Sequence, residues 1–434
     1  MKIVNVGLIG FGTIGSGVYQ LLESNRYLLS KRSGIDVRLK AICDLRKEEI
    51  RRDVKDIQIT DDWKDIISNK EIDTVVELIG GIEPAKSIIL ESLKNNKNVV
   101  TANKKLLAED GNEIFDIAGK CGCQLGFEAS VGGGIPCIIS LKNGLVANRV
   151  MGIMGILNGT CNYILSRMED DGLPFDAALK DAQRMGFAEA DPTFDIEGFD
   201  SGHKIAILSM LAYNKRIDYN SISIEGITKI KEIDIAYAKE MGYVIRLLGL
   251  SRLEAGDEVD IRVHPTMLPF KHPLASVRSE YNAVMFIGDM TGPVSLYGKG
   301  AGGLPTASAV VSDIIQIAQG GIGSAAAINI SKDLKYLSFQ KRVSRYYMRL
   351  NTLDRPGILS KISGVLARNN ISIASVIQKA IDTRYVPLVI MTHKAPEEGI
   401  MLSVKEINDF DFIDGSVTLI RVEDSFSVGD SDEQ

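Results

Sequence analysis

The 434-residue sequence predicts an α/β protein in three parts: a doubly wound parallel sheet, an α+β domain and a small βαββ-like unit. Three observations carry this. The first 105 residues alternate strand-like and helix-like periods, the rhythm of a parallel sheet with crossover helices. From Gly126 to about Pro293, glycine-rich turns are mixed with amphipathic helices and alternating strands. After a polar, basic stretch, residues 346–391 read as strand, helix, strand, strand.

Each element has a local reason. Ile3 to Ile9 is a short apolar run, and Val18, Leu21 and Leu22 mark a helical stripe. Val37, Leu39 and Ala41 alternate as in a strand, and Thr74 to Ile79 is apolar apart from its Thr and Glu, as in a buried strand. Pro84 opens a helix carrying Ile88, Ile89 and Leu93, and Val99-Val100 form the next strand. Ile261, Val263 and Val284 to Ile287 read as strands of the second part, and Pro305 to Gln319 as one more helix. Residues 331–345 are a linker by composition. Tyr346 to Leu350, Ile371 to Ala380 and Val386 to Met391 are extended, with Ile358 to Asn369 helical between the first two. Glu423 to Gln434 holds five acids and no base, a solvated tail. The expected domains are 1–135, completed by about 295–330; 136–294; 346–424 after the linker; and a tail from 425 to 434.

Composition narrows the function. Fifty basic against 56 acidic residues give a net charge of −6, so nucleic acid and anionic membrane are excluded as main partners. Met1 and Lys2 run directly into an alternating apolar stretch without the pattern of a signal peptide, and no run approaches about 18 apolar residues. A cytoplasmic protein is expected, with its five irregularly spaced cysteines reduced. Glycine is the outlier, 41 against 12 prolines, which points to close approaches of backbone to a ligand.

Gly10-Phe11-Gly12-Thr13-Ile14-Gly15 lies between the apolar run ending at Ile9 and a helical stripe. In that context the first glycine permits a tight turn, the second lets backbone approach a pyrophosphate, and the third lets helix and strand pack closely. The sheet is therefore read as Rossmann-type. Asp44 ends the second strand, and its distance from the glycines is longer than usual, the excess being assigned to a polar loop from Ser30 to Gly34. Asp44 could accept hydrogen bonds from both ribose hydroxyls of NAD, whereas Arg46 and Lys47 could hold the 2′-phosphate of NADP. Both cofactors stay open.

Glu189, Asp191, Asp195, Glu197 and Asp200 crowd the approach to an apolar helix, a costly cluster unless a cation or ligand amine meets it. Asp200 and Lys204 are i and i+4 on that helix, and Leu208 and Leu211 continue the same face into the core. Partial burial would lower the ammonium pKa of Lys204 and the neighbouring carboxylate would raise it. By spacing alone this is an ordinary helical ion pair after an acidic turn.

The motifs decide further. Val75 to Pro84, Val99-Val100-Thr101-Ala102-Asn103-Lys104, Phe127 to Pro136, Leu157-Asn158-Gly159-Thr160, Gly186 to Lys204, and Gly300-Ala301-Gly302 with Pro305-Thr306 resemble homoserine dehydrogenase over about three quarters of the chain. Asp354-Arg355-Pro356-Gly357-Ile358-Leu359 and Asn370-Ile371-Ser372-Ile373 resemble an ACT domain, the regulatory amino-acid-binding fold. The resemblance implies a Rossmann-type domain, an α+β catalytic and dimerisation domain, and a ferredoxin-like βαββαβ ACT domain. It implies reversible reduction of L-aspartate 4-semialdehyde to L-homoserine with NADH or NADPH, on the route to threonine, methionine and isoleucine. Lys204 matches the family's proton donor, Asp200 a substrate-positioning carboxylate, and Glu189 one that binds the substrate amino group, with Asp195 and Gly186 in the same shell. Lys104 matches a lysine near nicotinamide and substrate, and Phe11, Thr13, Ile14, Gly186 and Gly302 match positions lining the cofactor.

The resemblance also implies a monovalent cation, sodium, held by Glu128 and backbone carbonyls of Val131, Gly133 and Ile135; a hard cation of low charge suits oxygen ligands. It implies a homodimer or homotetramer, and an amino-acid effector such as threonine at the ACT turn Asp354 to Gly357. Two rivals follow from the same residues. A phosphorylating semialdehyde dehydrogenase would need a thiolate paired with a base, and Cys137 and Cys161 sit in no such pattern. A non-catalytic amino-acid and dinucleotide sensor would have no need of Lys104, Glu189, Asp200 and Lys204 together.

Overall fold

The computed structural model describes residues 1–321, 333–379 and 383–424. They form two compact units. The first comprises 1–159, 200–222 and 280–334. Its main sheet has six parallel strands: β1 (Lys2–Ile9), β2 (Ile35–Cys43), β3 (Gln58–Thr60), β4 (Thr74–Glu77), β5 (Asn98–Thr101) and β6 (Leu125–Gly126). Their order is β3-β2-β1-β4-β5-β6, with the reversal beside β1 that opens a ligand crevice at the strand ends. Leu8 stands in register between Ile42 and Val76 and is fully buried, so the central strands read as continuous apolar runs because both faces are covered.

One cover is the helix Thr13–Ser33, whose Val18 and Leu22 join a core with Val310, Val311 and Ile314 of the helix Gly303–Ala318. The chain, which leaves the first sheet at Gly126, thus returns at Gly303 to help cover it. Ser30 to Ser33 are helical, and only Gly34 leaves the helix, as a left-handed C-cap with φ 76°. The long spacing before Asp44 is therefore helix where a loop was expected: the serines there bond back to carbonyls of the preceding turn and do not break it. β4 stops at Glu77, two residues before Ile79, because the Glu77 carboxylate turns to accept the N–H groups of Ile79 and Gly80. An antiparallel trio, Val150–Ile156, Tyr281–Gly288 and Gly292–Lys299, completes the unit's strands.

The second unit comprises 160–199, 223–279 and 335–434. Strands Val343–Leu353, Ile373–Gln378, Tyr385–Thr392 and Thr418–Val422, with helices Ile358–Arg368 and Glu397–Asn408, make the βαββαβ order of a ferredoxin-like ACT domain. Tyr346, Met348, Leu350, Ile362, Leu366, Ile390 and Ile400 are its core. Its last strand pairs in parallel with Glu258–Pro269, itself half of an antiparallel hairpin with Tyr243–Leu253, so the sheet is mixed. Beside this junction three arginines are almost wholly buried: Arg262 meets Asp260 at 2.8 Å and Glu397 at 3.3 Å, Arg342 meets Asp260 at 3.0 Å, and Arg421 pairs with Glu397. Residues 333–345, read as linker, carry the short strand Lys335–Tyr336 and a turn of 3-10 helix, Phe339–Lys341. Ala380 and the tail 425–434 lie outside the described residues.

Candidate active site

The glycine loop is built by the ends of three strands. Gly10 N–H donates to the Cys43 carbonyl and Leu78 N–H to the Ile9 carbonyl, each at 2.8 Å. Gly10 has φ +97°, and a Cβ on Gly15 would stand 2.1 Å from the Gly10 carbonyl oxygen, so a larger residue at either place would force the loop off the helix. A Cβ built on Gly12 meets nothing within 4 Å. That leaves room above the N-terminus of Thr13–Ser33, where N–H groups and the helix dipole favour a phosphate. Phe11 and Ile14 are half-buried and Thr13 is exposed on this loop. Gly302, at φ +116°, caps the helix whose first residue, Gly303, would with a Cβ come within 3.0 Å of Thr13 Cγ2.

Asp44 stands beside the same loop. Its Oδ2 accepts the Phe11 N–H at 2.8 Å, and its Oδ1 accepts the backbone N–H (2.9 Å) and Nε (3.0 Å) of Arg46. Arg46 also reaches the Phe11 carbonyl at 2.9 Å. Burial pushes the Asp44 carboxyl up, but the Arg46 hydrogen bonds outweigh it and hold it below its ordinary range.

The second cluster centres on Asp200, second residue of the helix Phe199–Tyr213. Its Oδ2 accepts from Lys204 Nζ at 2.7 Å and from Asn158 Nδ2 at 2.9 Å, and its Oδ1 pairs with Lys104 Nζ. Lys204 Nζ donates also to the Leu157 carbonyl at 2.6 Å, which takes a second bond from Asn282 Nδ2 at 2.9 Å. The side chains of Asp200 and Lys204 are 3% and 8% exposed, against 36% for Lys104. Burial opposes the charge on Asp200, but Lys204 and Lys104 override it and press its carboxyl well below the usual range. Lys104 begins the helix Lys104–Cys121, whose N-cap Asn103 accepts from Leu106 N–H at 3.1 Å and ties back to the Gly81 carbonyl at 2.6 Å. Gly81 follows the loop that Glu77 organises, and Glu77 accepts the Thr101 hydroxyl at 2.6 Å.

Glu128 is buried in a turn, its two oxygens accepting the N–H groups of Ile138 (2.8 Å) and Ile139 (2.7 Å). Burial pushes its carboxyl up to about 7 against those bonds, and the neighbouring buried Asp313 stands at about 8 for the same reason. Val131 and Ile135 are buried nearby, and Gly133, at φ +55°, brings its Cα so close to Gly300 that a Cβ would stand 2.6 Å from its carbonyl oxygen. A hard cation of low charge would take oxygen ligands, and the two Glu128 oxygens are here held by backbone N–H groups. Among the described residues no group of three His, Cys, Asp or Glu side chains is arranged to hold a metal, so any such ion would rest mainly on carbonyls.

Gly186, Glu189 and Asp195 belong to the second unit. Gly186 turns at φ 77° after the helix Phe175–Arg184, Glu189 is exposed with its carbonyl accepting from Gln183 at 3.1 Å, and the Asp195 carbonyl lies 3.1 Å from Cys161 Sγ. Sequence reasoning gave no part to Asn158, Asn282, Glu77 or Asn103. Glu77, Asn103 and Asn158 stood in the quoted motifs without a role, whereas nothing local marks Asn282.

A doubly wound sheet with a glycine loop, a carboxylate shared between two lysines, and an ACT domain in the other unit define a nicotinamide-dependent oxidoreductase that carries an amino-acid-binding fold. The sequence models described as "Homoserine dehydrogenase, NAD binding domain", "Homoserine dehydrogenase" and "ACT domain" match residues 10–128, 136–315 and 346–410. The chain belongs to the homoserine dehydrogenase family. It is 44% identical to a homoserine dehydrogenase of Neisseria gonorrhoeae and 39% identical to that of Pseudomonas aeruginosa, each alignment covering 98% of this chain and 99% of the relative. The crystal structure of a homoserine dehydrogenase from Thiobacillus denitrificans superimposes with a TM-score of 0.92 at 40% identity, covering 98% of this chain and 99% of that one.

Proposed function

We propose that the chain reduces L-aspartate 4-semialdehyde reversibly to L-homoserine in the cytoplasm, on the route to threonine, methionine and isoleucine. The observation that carries the reading is the Asp200 carboxylate, buried and divided between Lys204 and Lys104. One anion between two ammonium groups leaves a net positive charge, suited to an oxygen that gains negative charge. The glycine loop and the N-terminus of the helix Thr13–Ser33 would hold the pyrophosphate of the dinucleotide, whose nicotinamide would supply the hydride for the aldehyde carbon. Lys204 Nζ gives its proton to the aldehyde oxygen, so that C=O and H⁻ and H⁺ become CH–OH, and in the reverse direction it takes that proton back. Asp200 and the Leu157 carbonyl aim the ammonium, and Lys104 adds charge from the more exposed side.

Glu189, Asp195 and Gly186 meet the substrate, an assignment supported by the family motif and by the exposed Glu189 carboxylate. Glu128, with carbonyls of Val131, Gly133 and Ile135, holds sodium, supported by the family motif and by a Glu128 carboxyl that burial raises despite its backbone hydrogen bonds. Asp44 and Arg46 meet the adenosine ribose, and threonine acts at the ACT domain of a homodimer or homotetramer. The test is initial rates with NADH and NADPH on aspartate 4-semialdehyde, with and without threonine. Oxidation of neither cofactor would overturn the catalytic reading. If millimolar threonine changed neither rate nor melting temperature, the ACT domain would be structural.

A further inference from the structure

The two lysine-bearing helices of the first unit touch at a second place that takes no part in the chemistry above. His203, the residue before Lys204, is 1% exposed, and its Nε2 lies 2.8 Å from Glu109 Oε1. Its ring lies against Tyr219 with centroids 4.4 Å apart. Glu109 is on the helix that begins with Lys104. Burial depresses the imidazole pKa more than Glu109 restores it, and a carboxylate can only accept, so Nε2 carries the hydrogen and donates it.

The geometry gives this pair a purpose. Lys104 and Glu109 are five residues apart on one helix, a rise of about 7.5 Å, and Asp200 and His203 three apart on the other, about 4.5 Å. Two ties at different heights fix both the rotation and the sliding of one helix on the other, where the Lys104–Asp200 pair alone would leave a pivot. Glu109 is one-third exposed, so its side chain adds little to the core. We infer that Glu109 and His203 are positioning residues that hold the Lys104 helix in the register where Lys104 shares Asp200 with Lys204. The inference rests on the site reading given above, since it is Lys104 whose placement is at stake.

The test is a double-mutant cycle on the full chain with Glu109→Ala, Glu109→Gln, Lys104→Ala and the Glu109→Ala/Lys104→Ala pair. Glu109→Ala should lower kcat about tenfold to a hundredfold, the scale on which small misplacements act, with cofactor affinity and melting temperature nearly unchanged. Glu109→Gln, whose amide oxygen still accepts from Nε2, should recover most of that loss. In the Lys104→Ala background Glu109→Ala should cost less than about threefold, because the residue it positions is gone. Equal losses in both backgrounds, or an unchanged kcat in Glu109→Ala, would overturn the inference while leaving the site intact. A fully active Lys104→Ala enzyme would instead remove the site reading, and the inference with it.

Discussion

Replacing Lys204 by alanine tests the chemistry most directly. The substitution removes the proposed proton donor and two hydrogen bonds, to Asp200 at 2.7 Å and to the Leu157 carbonyl at 2.6 Å. Neither partner is orphaned, because Asp200 keeps Lys104 and Asn158 and the carbonyl keeps Asn282. The cost in stability should therefore fall below the roughly 3–5 kcal/mol of breaking a buried pair outright, and the variant should fold. A positioned proton donor is worth about 10²–10⁴ in rate, or roughly 3–5 kcal/mol at about 1.4 kcal/mol per decade. Loss of NADPH absorbance on aspartate 4-semialdehyde should show kcat down by that factor, with cofactor affinity by fluorescence within about threefold of the parent. Lys204→Arg separates charge from proton transfer, since a guanidinium keeps the charge but does not give up its proton, and it should be nearly as slow. A Lys204→Ala variant that keeps more than about a tenth of kcat, or a Lys204→Arg variant as fast as the parent, would refute the proton-donor role.

Three other outcomes follow from particular contacts. Asp44→Ala should raise KM for NADH by about tenfold and Arg46→Ala should raise KM for NADPH more than for NADH, whereas equal changes for both cofactors would reduce the pair to a brace for the Phe11 loop. His264 is buried beside Arg421 and Arg262, and burial, then those charges, press its pKa well below 6.5. The unfolded chain takes up that proton as pH falls through 6.5 and the fold does not, so stability present above pH 6.5 is lost below it, at up to about 1.4 kcal/mol per pH unit; His264→Gln should flatten this slope in melts from pH 7.5 to 5.5, and an unchanged slope would show the group to be irrelevant. Exchanging choline for sodium at constant ionic strength should raise the melting temperature of the parent by roughly 2–4 °C per kcal/mol of binding and leave Glu128→Gln unmoved; equal responses would refute the cation assignment.

The fold was legible where a local rule suffices. The glycine fingerprint needs only a strand before it and a helix after it, and Gly10 and Gly15 sit where larger side chains would collide. Asp200 and Lys204 could be paired from an interval of four, and the structure brings them to 2.7 Å. The Ser30 to Gly34 stretch misled because serine, common in loops, also ends helices by bonding to the turn behind it. The linker misled because polar composition does not forbid short strands: Lys335–Tyr336 pairs with Glu258 and Val259 on an existing edge.

What could not be read was everything the sheet gathers from far apart. Asn158 meets Asp200 across 42 positions, Asn282 meets Leu157 across 125, and His203 meets Glu109 across 94. A lone histidine or asparagine has no periodicity to announce its partner, so only the packing of helix on strand reveals it. The consequence is chemical as well as architectural. An ion pair at i and i+4 on a solvated helix is worth a few tenths of a kcal/mol and cannot hold a proton donor still. The same two residues become a defined site once Asn158 and Lys104 fix two further directions around the carboxylate and the Leu157 carbonyl fixes one around the ammonium. The sequence-local pair supplies the chemistry, and the distant residues supply the geometry that lets it act.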